Sequence, residues 1–208
     1  MDFIQKCVAQ GIVVGIGHHN ASADQIKKAA DHGAAISVHL GNGCANFNHR
    51  HENPLWPQLA EDRLMASIIV DGFHLRPEEV KTFFRAKGVD RLVITSDVTK
   101  LAGMPPGEYT WNEMVVVMTP EGMIKYPAQN VLAGTSLPIT RGIFNIMKFT
   151  NCSLAEAIQM ATINPARLYG MNDRGEIEVG ERADLVLFSF GEDDLVVHQT
   201  VVAGRVVR

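Results

Sequence analysis

Apolar positions in the first hundred residues follow two alternating rhythms. Four short runs are β-branched and nearly continuous: "IVVGIG" (12–17), "AAISVHL" (34–40), "LMASIIVDGFH" (64–74) and "DRLVITSD" (90–97). Runs of that length and composition predict buried strands. Between them, apolar residues recur three or four apart. "DFIQKCVAQ" places Phe3, Ile4, Cys7 and Val8 on one stripe, with Asp2 as its cap. "SADQIKKAADHG" runs from a Ser22 cap to Gly33, and "RPEEVKTFFRAKG" has Pro77 in its first turn and Gly88 at its end. Strands alternating with helices predict right-handed βαβ units and a parallel sheet.

The second half changes rhythm. "EYTWNEMVVVMTPEGMIKYP" (108–127) predicts a hairpin turning at 120–122. "LPITRGIFNIMKF" and "SLAEAIQMAT" predict two amphipathic helices, and "NPARLYG" adds a short helical turn. In the tail, "GEIEVGERADLVLFSF" and "VVHQTVVAGRVVR" alternate as antiparallel strands do. The expected organisation is therefore an α/β unit over residues 1–170, with a hairpin insertion near 108–127, and a small β lobe over 171–208.

Bulk properties narrow the function classes. A length of 208 residues is enough for one sizeable core and a small lobe. The net charge of −4, with no basic cluster, argues against a nucleic-acid partner. Cys7, Cys44 and Cys152 are odd in number, widely spaced and without CxxC spacing, which suits a reducing compartment. No apolar run approaches the roughly 18 residues of a membrane span, and the N-terminus lacks a signal-peptide layout. A cytoplasmic protein acting on a small molecule, with no membrane partner, is expected.

The chemistry concentrates at strand ends. Each of the four expected parallel strands finishes in a residue able to bind metal or move protons: His18, His39, His74 and Asp97. Like ends of neighbouring parallel strands share one edge of the sheet, so residues far apart in sequence converge there; in a (β/α) barrel that edge is the catalytic face. Neutral imidazoles suit zinc and similar divalent ions, and a nearby carboxylate can take a proton from activated water.

These segments resemble the N-acetylglucosamine-6-phosphate deacetylase branch of the amidohydrolase superfamily of metal-dependent (β/α)8 barrels. "GHHNAS" is similar to a family segment that supplies a metal-ligand histidine, here His18; "VHLGNG" is similar to the segment of the second, here His39. "IIVDGFH" resembles a block whose histidine contacts substrate, here His74, and "VITSD" one that ends in the catalytic aspartate, here Asp97. "LAGTSLPI", "NPAR" and "GERADLV" follow in the family's order. The resemblance implies a divalent metal, zinc or alternatively iron or another such ion, and hydrolysis of an amino-sugar N-acetyl group. It also implies substrate contacts from Asn42, Gly43 and the loop residues Leu132, Ala133 and Gly134, and a phosphate contact from Arg50. Around Arg50 the run is "HRHENPLW", a departure from the family's Arg-Glu-Pro-Gly that bears on phosphate recognition. His19 stands where the family usually has Thr or Ser and is expected outside the ligand pair.

The resemblance further implies an α/β fold that is a partial (β/α)8 TIM-type barrel, its last four βα units, with a small C-terminal β lobe. The family's glutamate metal ligand lies in a "HLEGP"-like segment absent from this sequence. Asp97 is then a candidate third ligand, and the alternatives to an active deacetylase are a catalytically incomplete oligomerising fragment or another amidohydrolase reaction on a cyclic amide. An incomplete barrel leaves open sheet edges and an exposed apolar face, so a homodimer or higher homo-oligomer is expected.

Overall fold

Four strands, β1 (Val14–Ile16), β2 (Ala34–Ser37), β3 (Met65–Ile69) and β4 (Leu92–Thr95), pair in parallel in the order of the chain. The computed structural model describes residues 1–111 and 113–207; Asn112 of the expected hairpin and Arg208 of the expected tail strand lie outside them. Helices α1 (Asp2–Val8), α2 (Ala23–Asp31), α3 (Leu55–Ala60) and α4 (Pro77–Lys87) occupy the connections around these strands. Helix α3 falls in a stretch for which the pattern predicts no element. Its start is set by Asn53, whose side-chain oxygen accepts from the Leu55 and Trp56 amides.

Local chemistry explains the helix ends. Ser22 Oγ accepts from the Gln25 amide at 3.3 Å and Gln25 Oε1 from the Ser22 amide at 2.9 Å, a reciprocal cap that opens α2. Helix α4 begins with Pro77 and closes on Gly88, whose φ of +70° favours glycine. In α1, Met1 is the cap and Asp2 lies within the first turn, where its charge complements the helix dipole.

Burial is uneven across the sheet. In β3, Ala66, Ile68 and Ile69 are essentially inaccessible, as expected for a strand covered on both faces. By contrast β1 is an edge strand, Gly15 is exposed, and none of α1 is buried. The fully buried strand expected over 12–17 is therefore a short, half-exposed edge.

Residues 108–127 form more than a hairpin. Strands β5 (Gly107–Trp111), β6 (Met114–Met118), β7 (Met123–Tyr126) and β8 (Val131–Thr135) make a four-stranded antiparallel sheet with its own core of Leu101, Val116, Met118 and Ile124. The 119–122 turn joins β6 to β7. Helices α5 (Ile139–Thr150), α6 (Leu154–Ala161) and α7 (Ile163–Leu168) follow. Ile143, Ile146, Ala157 and Met160 from α5 and α6 join the main core with Ile68, Val80 and Leu92. The tail forms β9 (Leu185–Phe190), β10 (Leu195–Val202) and β11 (Arg205–Val206), a three-stranded antiparallel sheet. Residues 175–184 are not strand, although their alternation suggests one. No helix is long and apolar enough to cross a membrane among the described residues.

Two buried polar side chains tie the N-terminal edge of the parallel sheet. Asn164 Nδ2 donates to the carbonyls of Val89 (2.7 Å) and Leu92 (2.6 Å), fastening α7 to the start of β4. Lys87 Nζ donates to the carbonyls of Glu61 (2.8 Å) and Leu64 (2.9 Å), just before β3. Burial brings the Lys87 ammonium down to about 8.

Asn164→Ala leaves two buried carbonyls without a donor, so a loss of about 2–5 kcal/mol is expected in urea unfolding. Lys87 generates a pH dependence of known sign. Its folded pKa lies below the unfolded value of about 10.4, so the unfolded chain binds more protons between the two and stability rises with pH across that window. Urea midpoints from pH 8 to 10 in wild type and Lys87→Met isolate this contribution: the rise is expected to be smaller in the variant.

Candidate functional site

Parallel pairing puts the C-terminal ends of β1 to β4 on one edge, and the same position recurs at each. The last strand residues are Ile16, Ser37, Ile69 and Thr95; two residues beyond them stand His18, His39, Asp71 and Asp97. His18, His39 and Asp97 also share a left-handed backbone, with φ of +49°, +33° and +54°. Non-glycine residues rarely adopt it, and Asp and His are among those that tolerate it best. The equivalent position on β3 is Asp71, not the His74 singled out by the sequence pattern; His74 lies on the turn that follows.

The two leading histidines touch. Their ring centroids are 4.6 Å apart at an interplanar angle of 87°. His39 is half-buried and held by its backbone, whose amide donates to Ser67 Oγ at 2.8 Å. Its Nδ1 is buried and has no hydrogen-bond partner among the described residues. A buried, unpartnered ring nitrogen beside a second imidazole suits a cation better than it suits an apolar filling. No group of three His, Cys, Asp or Glu side chains capable of holding a metal exists among the described residues, so Asp97 does not complete a three-ligand set with these histidines. The pair fits part of a metal site.

Around this pair the backbone leaves little freedom. Gly43 has φ +68°, and a Cβ built there would lie 2.6 Å from His18 Nδ1. Asn42 donates from both its amide (2.9 Å) and its side chain (3.3 Å) to the His39 carbonyl. His19 serves local structure: its Nδ1 accepts from the Ala21 amide at 3.2 Å. Burial lowers its pKa, opposed by a hydrogen bond with Gln58.

Asp97 is exposed and is joined by the β5–β8 sheet. Its carbonyl accepts from the Thr135 amide at 3.2 Å, and a Cβ on Gly134 would meet that carbonyl oxygen at 2.8 Å. Leu132, Ala133 and Gly134 belong to strand β8 rather than to a loop. That strand, invisible to the sequence pattern, is what carries Gly134 against Asp97.

Asp71 and His74 form a buried pair. Their side chains are 4% and 6% exposed, and His74 Nδ1 lies 2.7 Å from Asp71 Oδ2. Asp71 Oδ1 accepts from the Phe73 amide (2.8 Å) and the His74 amide (3.0 Å). Burial opposes ionisation of Asp71, but the bonds from His74 and Phe73 outweigh it and hold the carboxyl below its ordinary value. Arg50 lies on an exposed loop, where its carbonyl accepts from Trp56 Nε1 at 2.8 Å. No ion pair or hydrogen bond engages its guanidinium among the described residues.

The chain matches the model of the amidohydrolase family over residues 1–207. It is 32% identical over 206 residues to the N-acetylglucosamine-6-phosphate deacetylase of Lysinibacillus sphaericus, covering 99% of this chain and 52% of that protein. It is also 32% identical over 203 residues to the N-acetylgalactosamine-6-phosphate deacetylase of Escherichia coli O157:H7, covering 97% and 52%. The crystal structure of the Thermotoga maritima N-acetylglucosamine-6-phosphate deacetylase superposes with a TM-score of 0.89 at 31% identity, over 100% of this chain and 56% of that one. The chain spans about half the length of the curated relatives it matches. With one family model covering nearly every residue, and strand-end histidines and aspartates gathered on one sheet edge, the chain belongs to the amidohydrolase family.

Proposed function

We propose that this chain is the metal-binding and proton-transferring portion of a hydrolase that removes the N-acetyl group from an amino-sugar 6-phosphate, releasing acetate and the amino sugar. The observation that carries the reading is the His18–His39 contact with the orphaned Nδ1 of His39. The names of the relatives supply the substrate class, with glucosamine and galactosamine derivatives both represented.

His18 and His39 would hold a divalent metal, zinc by the chemistry of imidazole donors, with a further ligand from outside the described residues. When bound, the metal supplies Lewis-acid activation of water and of the amide carbonyl. Asp97 accepts the proton of the attacking water and returns it to the departing amine nitrogen as the C–N bond breaks. His74, Asn42, Gly43 and the Leu132, Ala133 and Gly134 strand contact the sugar, and Arg50 pairs with the phosphate through two parallel N–H donors.

The four parallel strands represent half of a (β/α)8 barrel over residues 1–170, with 171–208 as a separate β lobe. The outer edge of β1 and the exposed Phe3 and Ile12 favour covering by another chain, here a homodimer or higher oligomer. The three free cysteines suit a cytoplasmic setting.

Elemental analysis of dialysed protein is expected to give about one divalent ion per site. His39→Ala should abolish its retention, and Gly43→Ala, by displacing the His18 ring, should weaken it by roughly 10–100-fold. Wild-type protein without metal would overturn this reading for the chain. Acetate release from N-acetylglucosamine and N-acetylgalactosamine 6-phosphates tests the chemistry: Asp97→Asn is expected to lower kcat by about 10²–10⁴-fold with an unchanged melting temperature. An equally active variant would remove Asp97 from the proton-transfer role.

A further inference from the structure

Asp71 is the one strand-end group that the proposed chemistry leaves unused. It occupies the position on β3 that His18, His39 and Asp97 occupy on their own strands, yet its side chain is only 4% exposed and turned to its neighbours. Both carboxylate oxygens are engaged. Oδ1 receives two backbone amides and shapes the Asp71–His74 turn; Oδ2 receives the His74 ring at 2.7 Å. The turn is also fixed from behind: buried Asn145 on α5 donates to the Val70 carbonyl at 2.8 Å, one residue before Asp71.

We propose that Asp71 is a positioning residue that locks His74 as its Nδ1–H tautomer, leaving Nε2 as an unprotonated hydrogen-bond acceptor for substrate. An ionised carboxylate can only accept, so the ring nitrogen facing it must carry the proton. In the neutral ring the other nitrogen is then bare. Nε2 makes no hydrogen bond among the described residues, which leaves it as the ring's unused polar atom at the edge where the other three groups stand. The inference rests on the deacetylase reading for the identity of the substrate, but not for the tautomer.

Asparagine at position 71 separates shape from polarity. It keeps an oxygen to receive the Phe73 and His74 amides while presenting an N–H to the ring, which forces Nδ1 to become the acceptor and moves the proton to Nε2. Nitrogen-15 NMR of labelled histidines reads this directly. In the wild-type chain at alkaline pH, His74 is expected to show a protonated Nδ1 and a bare Nε2; Asp71→Asn is expected to show the reverse. A wild-type ring with a bare Nδ1 overturns the proposal without any variant.

Kinetics of sugar-phosphate deacetylation supply the functional arm. Asp71→Asn is expected to lose tenfold or more in kcat/KM, mainly through KM, with little change in melting temperature. A reversed tautomer with unchanged kcat/KM overturns the role in substrate binding and leaves the deacetylase reading intact. Wild-type protein that shows the expected tautomer and carries metal, but releases no acetate, overturns the deacetylase reading and leaves the positioning by Asp71 standing.

Discussion

Parallel hydrogen bonding between four consecutive strands is the constraint on which this site depends. Neighbouring strands in a sheet run about 4.8 Å apart, and parallel pairing keeps all their C-terminal ends on one side. Residues 18, 39, 71 and 97 therefore become neighbours or near-neighbours without any contact in sequence. The backbone must also leave each strand abruptly. At His18, His39 and Asp97 it does so through the left-handed region, at a cost of about 1–2 kcal/mol for each L-residue. Glycines opposite these turns accommodate the crowding: Gly43 lies against the His18 ring and Gly134 against the Asp97 carbonyl.

The two ends of the sheet are built by different physics. At the N-terminal edge, Lys87 and Asn164 satisfy buried carbonyls, and β3 and β4 lie under helices α4 to α6 in the main core. Polar groups there are consumed by structure. At the C-terminal edge, polar groups are held in place but left chemically free: His39 Nδ1 has no partner among the described residues and Asp97 is exposed. Strained backbone and unpaired polar atoms reduce stability, and the first edge offsets that loss for the second.

The Asp71–His74 pair belongs to both regimes. Its burial makes it structural, while its remaining ring nitrogen places it with the functional groups. A carboxylate that shapes a turn with one oxygen and orients an imidazole with the other couples backbone geometry to ring chemistry in one residue. Such coupling is how an exposed sheet edge can present a ring in a single orientation.

Much of this was legible in the sequence because period and punctuation are local signals. The four strand runs, the Ser22 cap of α2 and the Pro77–Gly88 bounds of α4 follow from hydrophobic spacing and backbone preference alone. The strand-end histidines and Asp97 were visible for the same reason, as polar residues closing apolar runs. What the sequence could not determine depends on contacts between distant segments. The parity of positions two residues past each strand, which picks Asp71 ahead of His74, depends on where pairing stops. The half-exposure of β1 depends on the cover it receives: α1 beside it contributes no buried residue, whereas β4, the other edge strand, is buried beneath α5 and α6. Strand β8 and the approach of Gly134 to Asp97 depend on an antiparallel sheet whose register is set across chain segments. Local rhythm determined the elements and their chemical endings; only tertiary pairing decided which endings meet, because hydrogen-bonded register is a property of two strands and never of one.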